Sequence, residues 1–454
     1  MAKTIEPHYD NLIIGFGKGG KTLAAWLAKK GEQVSLVEKS DKMYGGACIN
    51  VACIPTKALI KKAEEKMPYQ KAYGLKNELT SFLRELNYDN VEKLPAATVI
   101  TGEASFVTAN EVLVKIIGKD KGEKRITANR IFINTGSQPF VPPIPGIDTA
   151  KNVYTSISLL EQSTLPEKLV IIGGGFIGLE FADMYAKFGA EVTVLDSADE
   201  FLPQEDEDVA DEVYKVLTSR KINIVTAATV QKVENTEGDK VKVEYKDKTG
   251  ETVSLQASAL LIATGRKPMT EGLNLEAAGI RTDKKGYIEV DESLKTNVHN
   301  IWALGDINGG PQFTYISLDD FRIVRDQLSD ADYTTVEQRK QVASSVFITP
   351  PLAHIGLRER EAVEKGYEIK VAKLPATSVV RARIDCNTSG LLKTVVDKKT
   401  NKILGCILFC TGANEMINTI QVAINCGLDY QEVRDTIYTH PSMTEAFNDL
   451  YAQI

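Results

Sequence analysis

Apolar and polar positions along this chain alternate between short solid runs and longer amphipathic stretches. YDNLII (9–14) and QVSLVE (33–38) are unbroken enough to predict strands buried on both faces, and KTLAAWLAKKG between them carries the spacing of a helix. The unit recurs as KLVII (168–172), LEFADMYAKFG (179–189) and EVTVLD (191–196). A second echo links IFINTGSQP (131–139) to LLIATGRKP (260–268), each an apolar strand running into Thr-Gly and then proline. Both echoes predict α/β architecture, with two similar Rossmann-like halves and two points where the chain leaves one unit for another.

The turn joining strand to helix is GFGKGG in the first unit and GGGFIG in the second. Gly15, Gly17 and Gly20, then Gly173, Gly175 and Gly178, fit G-x-G-x-x-G. Such glycines let the backbone approach a pyrophosphate at the positive end of a helix, and an acid ending the next strand receives a ribose hydroxyl. Glu38 lies 18 residues after Gly20, and Asp196 lies 18 after Gly178. Two matched units predict two dinucleotides, and hence hydride transfer between a nicotinamide and a flavin. The chain after the second strand reads LDSADEFLPQEDED. Its acids repel a 2′-phosphate, which predicts NADH over NADPH.

Composition narrows the class. The chain has 454 residues, 43% hydrophobic and 25% charged, with net charge −7. That length predicts several domains, and the negative balance argues against nucleic-acid or anionic-membrane partners. The N-terminal residues show no apolar leader, and the most apolar stretch, LVIIGGGFIG, falls short of the ~18 residues of a membrane span. A cytoplasmic protein is expected.

Of six cysteines, Cys48 and Cys53 stand close together in GGACINVACIPTK. Residues 47–66 have helical character, and positions i and i+5 of a regular helix have Cα atoms about 8–9 Å apart, beyond the ~7 Å a disulfide tolerates. The pair closes only if the helix is distorted or begins after Cys48. Gly45-Gly46 permit an unusual entry, and Pro55 is expected to push Ile54 from helical angles. So short a loop makes a weak staple and a good redox switch. Lys57, one turn after Cys53, favours a thiolate. A metal-binding pair or coincidence are the alternatives, and no metal site is expected. Cys386, Cys406, Cys410 and Cys426 read as small buried hydrophobes.

A redox-active cysteine pair calls for a base. The histidines are His8, His299, His354 and His440. His8 sits in the N-terminal tail, His299 in a turn and His354 in a strand-like run. His440 precedes Pro441, a residue suited to a helix start, and Glu445 is placed to orient its imidazole.

In order along the chain, the first glycine motif, GGACINVACIPTK, Thr135-Gly136, GGGFIGLE, ATGRKP, NIWALGDI and HPSMTE resemble the class I pyridine nucleotide–disulfide oxidoreductases. Ala52 departs from the glycine usual before the second cysteine. The resemblance implies FAD in the first unit, with Gly46, Thr135 and Gly136 among the cofactor-lining positions, and Gly265 of ATGRKP is a further cofactor-binding position. It implies Asp306 on the ribityl chain, Ala104 near the adenine, and Lys57 paired with Glu180 beside the flavin. It also implies a homodimer whose C-terminal domain sends His440 and Glu445 into the partner's site. Implied domains are 1–148 for FAD, 149–266 for NAD, a return segment 267–338 and an α+β interface domain 339–454.

GFGKGGKTLA, MYGGACIN, FTYISLDDFRIVRDQL, SVFITPPL and VVRARI further resemble the RclA-like group, linked to resistance to reactive chlorine species and hypothiocyanous acid. FTYISLDD (313–320) is the strongest discriminator. Mercuric reductase is disfavoured because FNDLYAQI has no cysteine pair, and glutathione reductase by the acids around Asp196. The implied relay runs from NADH through FAD to the Cys48–Cys53 disulfide and a small oxidant, with lipoamide, small disulfides and Cu(II) as alternative substrates and a flavin-bound redox sensor as the alternative role.

Overall fold

A computed structural model describes residues 7–118, 121–238, 240–329, 331–332 and 335–454; the first six residues, part of the segment read as lacking a leader, lie outside it. Strand β1 (His8–Ile14), helix α1 (Lys18–Lys29) and strand β2 (Val34–Glu38) form the first unit. β1 lies parallel between β2 and Gly122–Ile133. Ala97–Phe106 extends the sheet beyond β2, and Ile301–Ala303 extends it on the other side. The sheet is therefore completed by a strand from far along the chain. Leu12, Ile13 and Ile14 are buried on both faces, as a parallel sheet covered by helices requires. His8 belongs to β1 rather than to a loose tail, its ring bonded to Thr127.

The second unit repeats the plan. Lys168–Ile172 lies parallel between Glu191–Leu195 and Ala259–Ile262, and helix Phe176–Phe188 joins the first two strands. Both crossing helices begin three residues earlier than their apolar spacing suggests, directly at the glycine turns. The backbones match in kind. Gly15 has φ +103° and a Cβ there would meet Asn134 O at 2.4 Å; Gly173 has φ +108° and would meet Ala263 O at 2.5 Å. Each turn thus presses against the end of the echoed strand, where only glycine fits. The echoed segments also pair with each other, Ser137–Pro139 antiparallel to Arg266–Pro268.

The C-terminal part is a five-stranded antiparallel sheet in the order Ser344–Val346, Leu352–Gly356, Ile403–Phe409, Leu391–Asp397 and Ile369–Pro375. Helix Ala413–Asn425 packs Met416, Ile417 and Ile420 into its core. The fold is the expected α/β arrangement with an α+β C-terminal unit. Among the described residues, no helix is long and apolar enough to cross a membrane.

Two of the scattered cysteines depart from the burial expected of them. Cys406 and Cys410 lie in the core, but Cys386 and Cys426 are exposed. Cys386 occupies a left-handed turn, and Cys426 ends a helix where the chain turns to solvent.

The C-terminal sheet is fastened to the second unit by an ion cluster built on a buried lysine. Lys393 is 1% exposed and reaches Asp206 (2.8 Å), Asp208 (3.0 Å) and Glu359 (2.8 Å). Burial opposes its charge, but the carboxylates outweigh burial and hold its pKa above the ordinary lysine value. Lys393→Met leaves that cluster without its buried cation, a loss of about 1.5–3 kcal/mol because Asp208 and Glu359 keep access to water. Its melting transition is expected several degrees below wild type by differential scanning calorimetry; an unchanged transition would show that the cluster does not hold the units together.

Candidate redox site

Helix α2 (Ala47–Asn50) carries Cys48, and helix α3 (Cys53–Glu64) opens on Cys53. The distortion required by the sequence falls at Val51 and Ala52, whose backbones leave helical angles (φ −140°, ψ 7° and φ −137°, ψ −103°). It does not fall at Ile54, which lies inside α3. Pro55 is tolerated there because the first turn of a helix has no use for its missing N–H. Both cysteines are half-buried, and with both as free thiols Cys48 acts as a hydrogen-bond donor to the Cys53 sulfur.

That contact divides the pair. The hydrogen bond from Cys48, against the opposing effect of burial and helped by Thr314 and Lys57, pulls Cys53 down to about 6. The same hydrogen bond, burial and the Cys53 charge push Cys48 well up. Cys53 therefore holds the thiolate and Cys48 the proton. Position at the N-terminus of α3 acts in the same direction for Cys53. Thr314 Oγ1 lies 3.7 Å from Cys53 Sγ. Lys57 Nζ is 2.6 Å from Glu180 Oε2 and 4.7 Å from the Phe347 ring centre, and Glu180 Oε1 accepts Phe347 N–H at 2.8 Å. Glu180 is buried rather than a helix-surface carboxylate.

The cysteine loop abuts the first glycine turn: a Cβ on Gly46 would sit 2.8 Å from Gly17 Cα. In that turn Glu38 accepts Phe16 N–H at 2.9 Å and is raised by burial, and Gly20 N–H donates to Asn134. Thr135 Oγ1 is buried without a partner among the described residues, and a Cβ on neighbouring Gly136 would meet open space. An orphaned hydroxyl, an open glycine and a helix N-terminus around one crevice fit the polar chain of FAD. Asp306 accepts from Ser137 Oγ at 2.6 Å beside this crevice. Ala104 sits buried on the strand flanking β2.

In the second unit Gly175 caps helix Phe176–Phe188 and a Cβ there would meet open space. Gly178 packs against Gly173, and Asp196 stands over Gly174 and accepts Ala198 N–H at 3.3 Å. A Cβ on Gly265, with φ +120°, would also meet open space. This open turn, with its carboxylate at the strand end, fits a nicotinamide dinucleotide.

His440 Nδ1 lies 2.8 Å from Glu445 Oε2, so the acid does orient the ring. The imidazole is exposed, and among the described residues it bonds neither cysteine of its own chain. Pro441 does not start a helix; that helix spans Ala446–Tyr451, with Glu445 as its cap. His354 is half-buried and held down to about 4 by desolvation and Arg358.

Residues that motif reading passed over complete the site. The discriminating segment FTYISLDD opens helix Thr314–Gln327. Its Thr314 touches Cys53, Ser317 accepts Gly19 N–H at 3.1 Å, and Asp320 accepts Gly305 N–H at 2.7 Å beside Asp306. Phe313 and Tyr315 stack with ring centres 5.0 Å apart, and Tyr315 donates to Ala343 O at 2.8 Å. Burial and the Cys53 charge push Tyr315 up to about 12.

Comparison with known proteins agrees with this geometry. Residues 9–320 match the model of the pyridine nucleotide-disulphide oxidoreductases, and residues 342–451 match the dimerisation domain of the same family. The chain is 46% identical over 446 residues to the probable pyridine nucleotide-disulfide oxidoreductase RclA of Escherichia coli, covering 98% of this chain and 99% of that one. It is 33% identical to a mercuric reductase of Bacillus cereus, covering 96% of this chain and 70% of that one. The solved Cu(II) complex of the HOCl-induced flavoprotein disulfide reductase RclA from E. coli superposes with TM-score 0.94 at 46% identity, covering 98% and 99% of the two chains. With its two dinucleotide crevices, paired cysteines and dimerisation domain, the chain belongs to the pyridine nucleotide–disulphide oxidoreductases, flavoproteins that work with FAD and a nicotinamide dinucleotide.

Proposed function

We propose that the chain forms a cytoplasmic homodimer that uses NADH to reduce hypothiocyanous acid to thiocyanate through the Cys48–Cys53 pair. The observation that carries this reading is the surroundings of the pair: Thr314 on Cys53, flanked in sequence by the stacked rings of Phe313 and Tyr315. Such a setting suits a small sulfur electrophile, which needs a thiol and a proton donor more than a recognition surface. Asp196 at the strand end favours NADH by repelling a 2′-phosphate. FAD, when bound, supplies the two-electron link between nicotinamide and disulfide.

The chain's own residues perform the rest. Cys48 attacks the sulfur of the oxidant, the S–O bond breaks, and the departing hydroxide leaves as water with the proton released by Cys48. His440 of the partner subunit, held by its Glu445, carries that proton. Cys48 now bears a sulfenyl thiocyanate. The Cys53 thiolate attacks the Cys48 sulfur, thiocyanate leaves with the bonding pair, and the disulfide closes. Two electrons pass from the thiol pair to the oxidant, giving one water and one thiocyanate. Lys57 and Thr314 support the Cys53 thiolate throughout. Lys57 is itself held by Glu180.

A second reading, reduction of Cu(II), takes its support from the Cu(II) complex of the E. coli relative. Parallel NADH-oxidation assays with hypothiocyanous acid, Cu(II), lipoamide and a small disulfide separate these substrates. Hypothiocyanous acid is expected to turn over at least tenfold faster than the others; a faster rate with any of them would replace it as substrate, and turnover of only a few per hour with all would favour a redox sensor.

In the same assay Cys48→Ser is expected to accept electrons from NADH yet fail to turn over; steady turnover near the wild-type rate would remove Cys48 from the mechanism. For the other sulfur, the thiolate absorbance of the reduced protein is expected to titrate near pH 6, the thiolate being present above and lost below. Thr314→Val removes a hydroxyl that stabilises the charged form, so the midpoint should move upward. A midpoint near the ordinary thiol value in wild type would contradict the assignment of Cys53 as the thiolate.

A further inference from the structure

A second lysine reaches the cysteine loop from α1. Lys21 lies in the first turns of α1, just past the glycine motif, and its side chain is half-buried. Its ammonium donates to Gly45 O at 3.3 Å and to the Asn87 side-chain oxygen. Gly45 precedes Cys48 by three residues. Asn87 belongs to helix α4 (Tyr69–Glu92), the helix that also holds the far end of the loop. There Arg84 Nε donates to Asn50 Oδ1 at 2.8 Å, and Asn50 Nδ2 donates to Tyr44 O and Gly46 O at 2.9 Å each. The segment 44–50 is thus tied to α1 at one side and α4 at the other, with Cys48 between the ties.

A glutamine would satisfy a carbonyl and an amide oxygen as well, without the cost of drawing a charge out of water. What distinguishes lysine is the charge. Lys57, paired with Glu180 at 2.6 Å, acts on Cys53. The two hydrogen-bond partners of Lys21 are neutral, so its charge is not cancelled locally. Burial and the neighbouring Lys18 lower Lys21 to about 8, while a charge on Cys48 acts to raise it. The effect is mutual: Lys21 acts to lower Cys48. The groups that act on Lys21 are the Lys18 ammonium on α1 and the titratable Cys48 thiol on α2, and α4 adds the Arg84 guanidinium where it holds Asn50 of the same loop.

We propose that Lys21 is a positioning residue for Cys48, fixed by Gly45 and Asn87 so that its uncancelled positive charge favours the Cys48 thiolate at the moment of attack. This rests on the reading of Cys48 as the attacking thiol and adds the group that offsets the unfavourable charge of the adjacent Cys53. When the proton leaves Cys48, two sulfur charges would otherwise face each other, and a Lys21 ammonium fixed on Gly45, three residues before Cys48, opposes that repulsion.

The test is alkylation of the NADH-reduced holoprotein with iodoacetamide, following Cys48 by mass spectrometry across about pH 6 to 9, around the ordinary thiol range. Lys21→Met is expected to slow Cys48 alkylation about tenfold at neutral pH, as removal of a neighbouring cation cuts the thiolate fraction. The gap should narrow above about pH 8, where the wild-type lysine itself loses its proton. Lys21→Arg is expected to stay within about twofold of wild type, because its guanidinium keeps the positive charge beside the sulfur. An unchanged profile in Lys21→Met overturns the proposal, as does equal slowing in Lys21→Arg, which would assign the effect to shape. Should Lys21→Met fail to retain FAD, Asn87→Leu loosens the lysine and is expected to slow alkylation about threefold, less than full removal of the charge; an unchanged rate there overturns the proposal. Failure of wild-type Cys48 to react at any pH would instead sink the reading of Cys48 as the nucleophile, a distinct outcome.

Discussion

The contact between the sulfurs of Cys48 and Cys53 depends on two residues that refuse to be helical. If Val51 and Ala52 continued the geometry of α2, the cysteines would be about 8–9 Å apart at Cα and one could not act on the other. The break starts α3 afresh on Cys53, placing that sulfur at a helix N-terminus and Cys48 one short helix before it. The asymmetry of the pair follows. One sulfur receives the hydrogen bond, the helix end, Thr314 and Lys57, and becomes the thiolate; the other keeps the proton.

Everything that holds this break comes from far along the chain. Gly46 packs on Gly17, so the cysteine loop and the first dinucleotide turn form one surface. Asn134 braces that turn from the end of a neighbouring strand, and helix Thr314–Gln327 closes over it with Ser317 and Thr314. The same helix holds the loop of Asp306 through Asp320. One helix thus touches both the crevice that fits the cofactor's polar chain and the Cys53 sulfur. The C-terminal sheet adds Phe347, whose N–H fixes Glu180, and through it Lys57.

What the sequence made legible were features whose chemistry is local. The glycine turns, their acids and the close cysteines each occupy a few consecutive residues, and the need for a helical distortion follows from spacing alone. Contacts across long separations were not legible. Thr314 meets Cys53 across 261 positions, and no pattern near either residue announces it. Glu180 shows its partner only through family resemblance, because an acid on an amphipathic helix ordinarily faces water. The two proline readings failed for a shared reason. Pro55 and Pro441 carry preferences for helix starts and breaks, but the chain broke at Ala52 and restarted at Ala446, where packing rather than ring geometry decides. Cys386 and Cys426 were misplaced because cysteine's tendency to be buried says nothing about a turn or a helix end.

The central claim is that electrons leave the nicotinamide and emerge at this sulfur pair. Anaerobic titration of the FAD-loaded protein with NADH tests it most directly. The account predicts a long-wavelength absorption band at two-electron reduction, reporting a Cys53 thiolate against the flavin, and its loss in Cys53→Ser. Bleaching of the flavin with no such band, and with both thiols still oxidised, would contradict it.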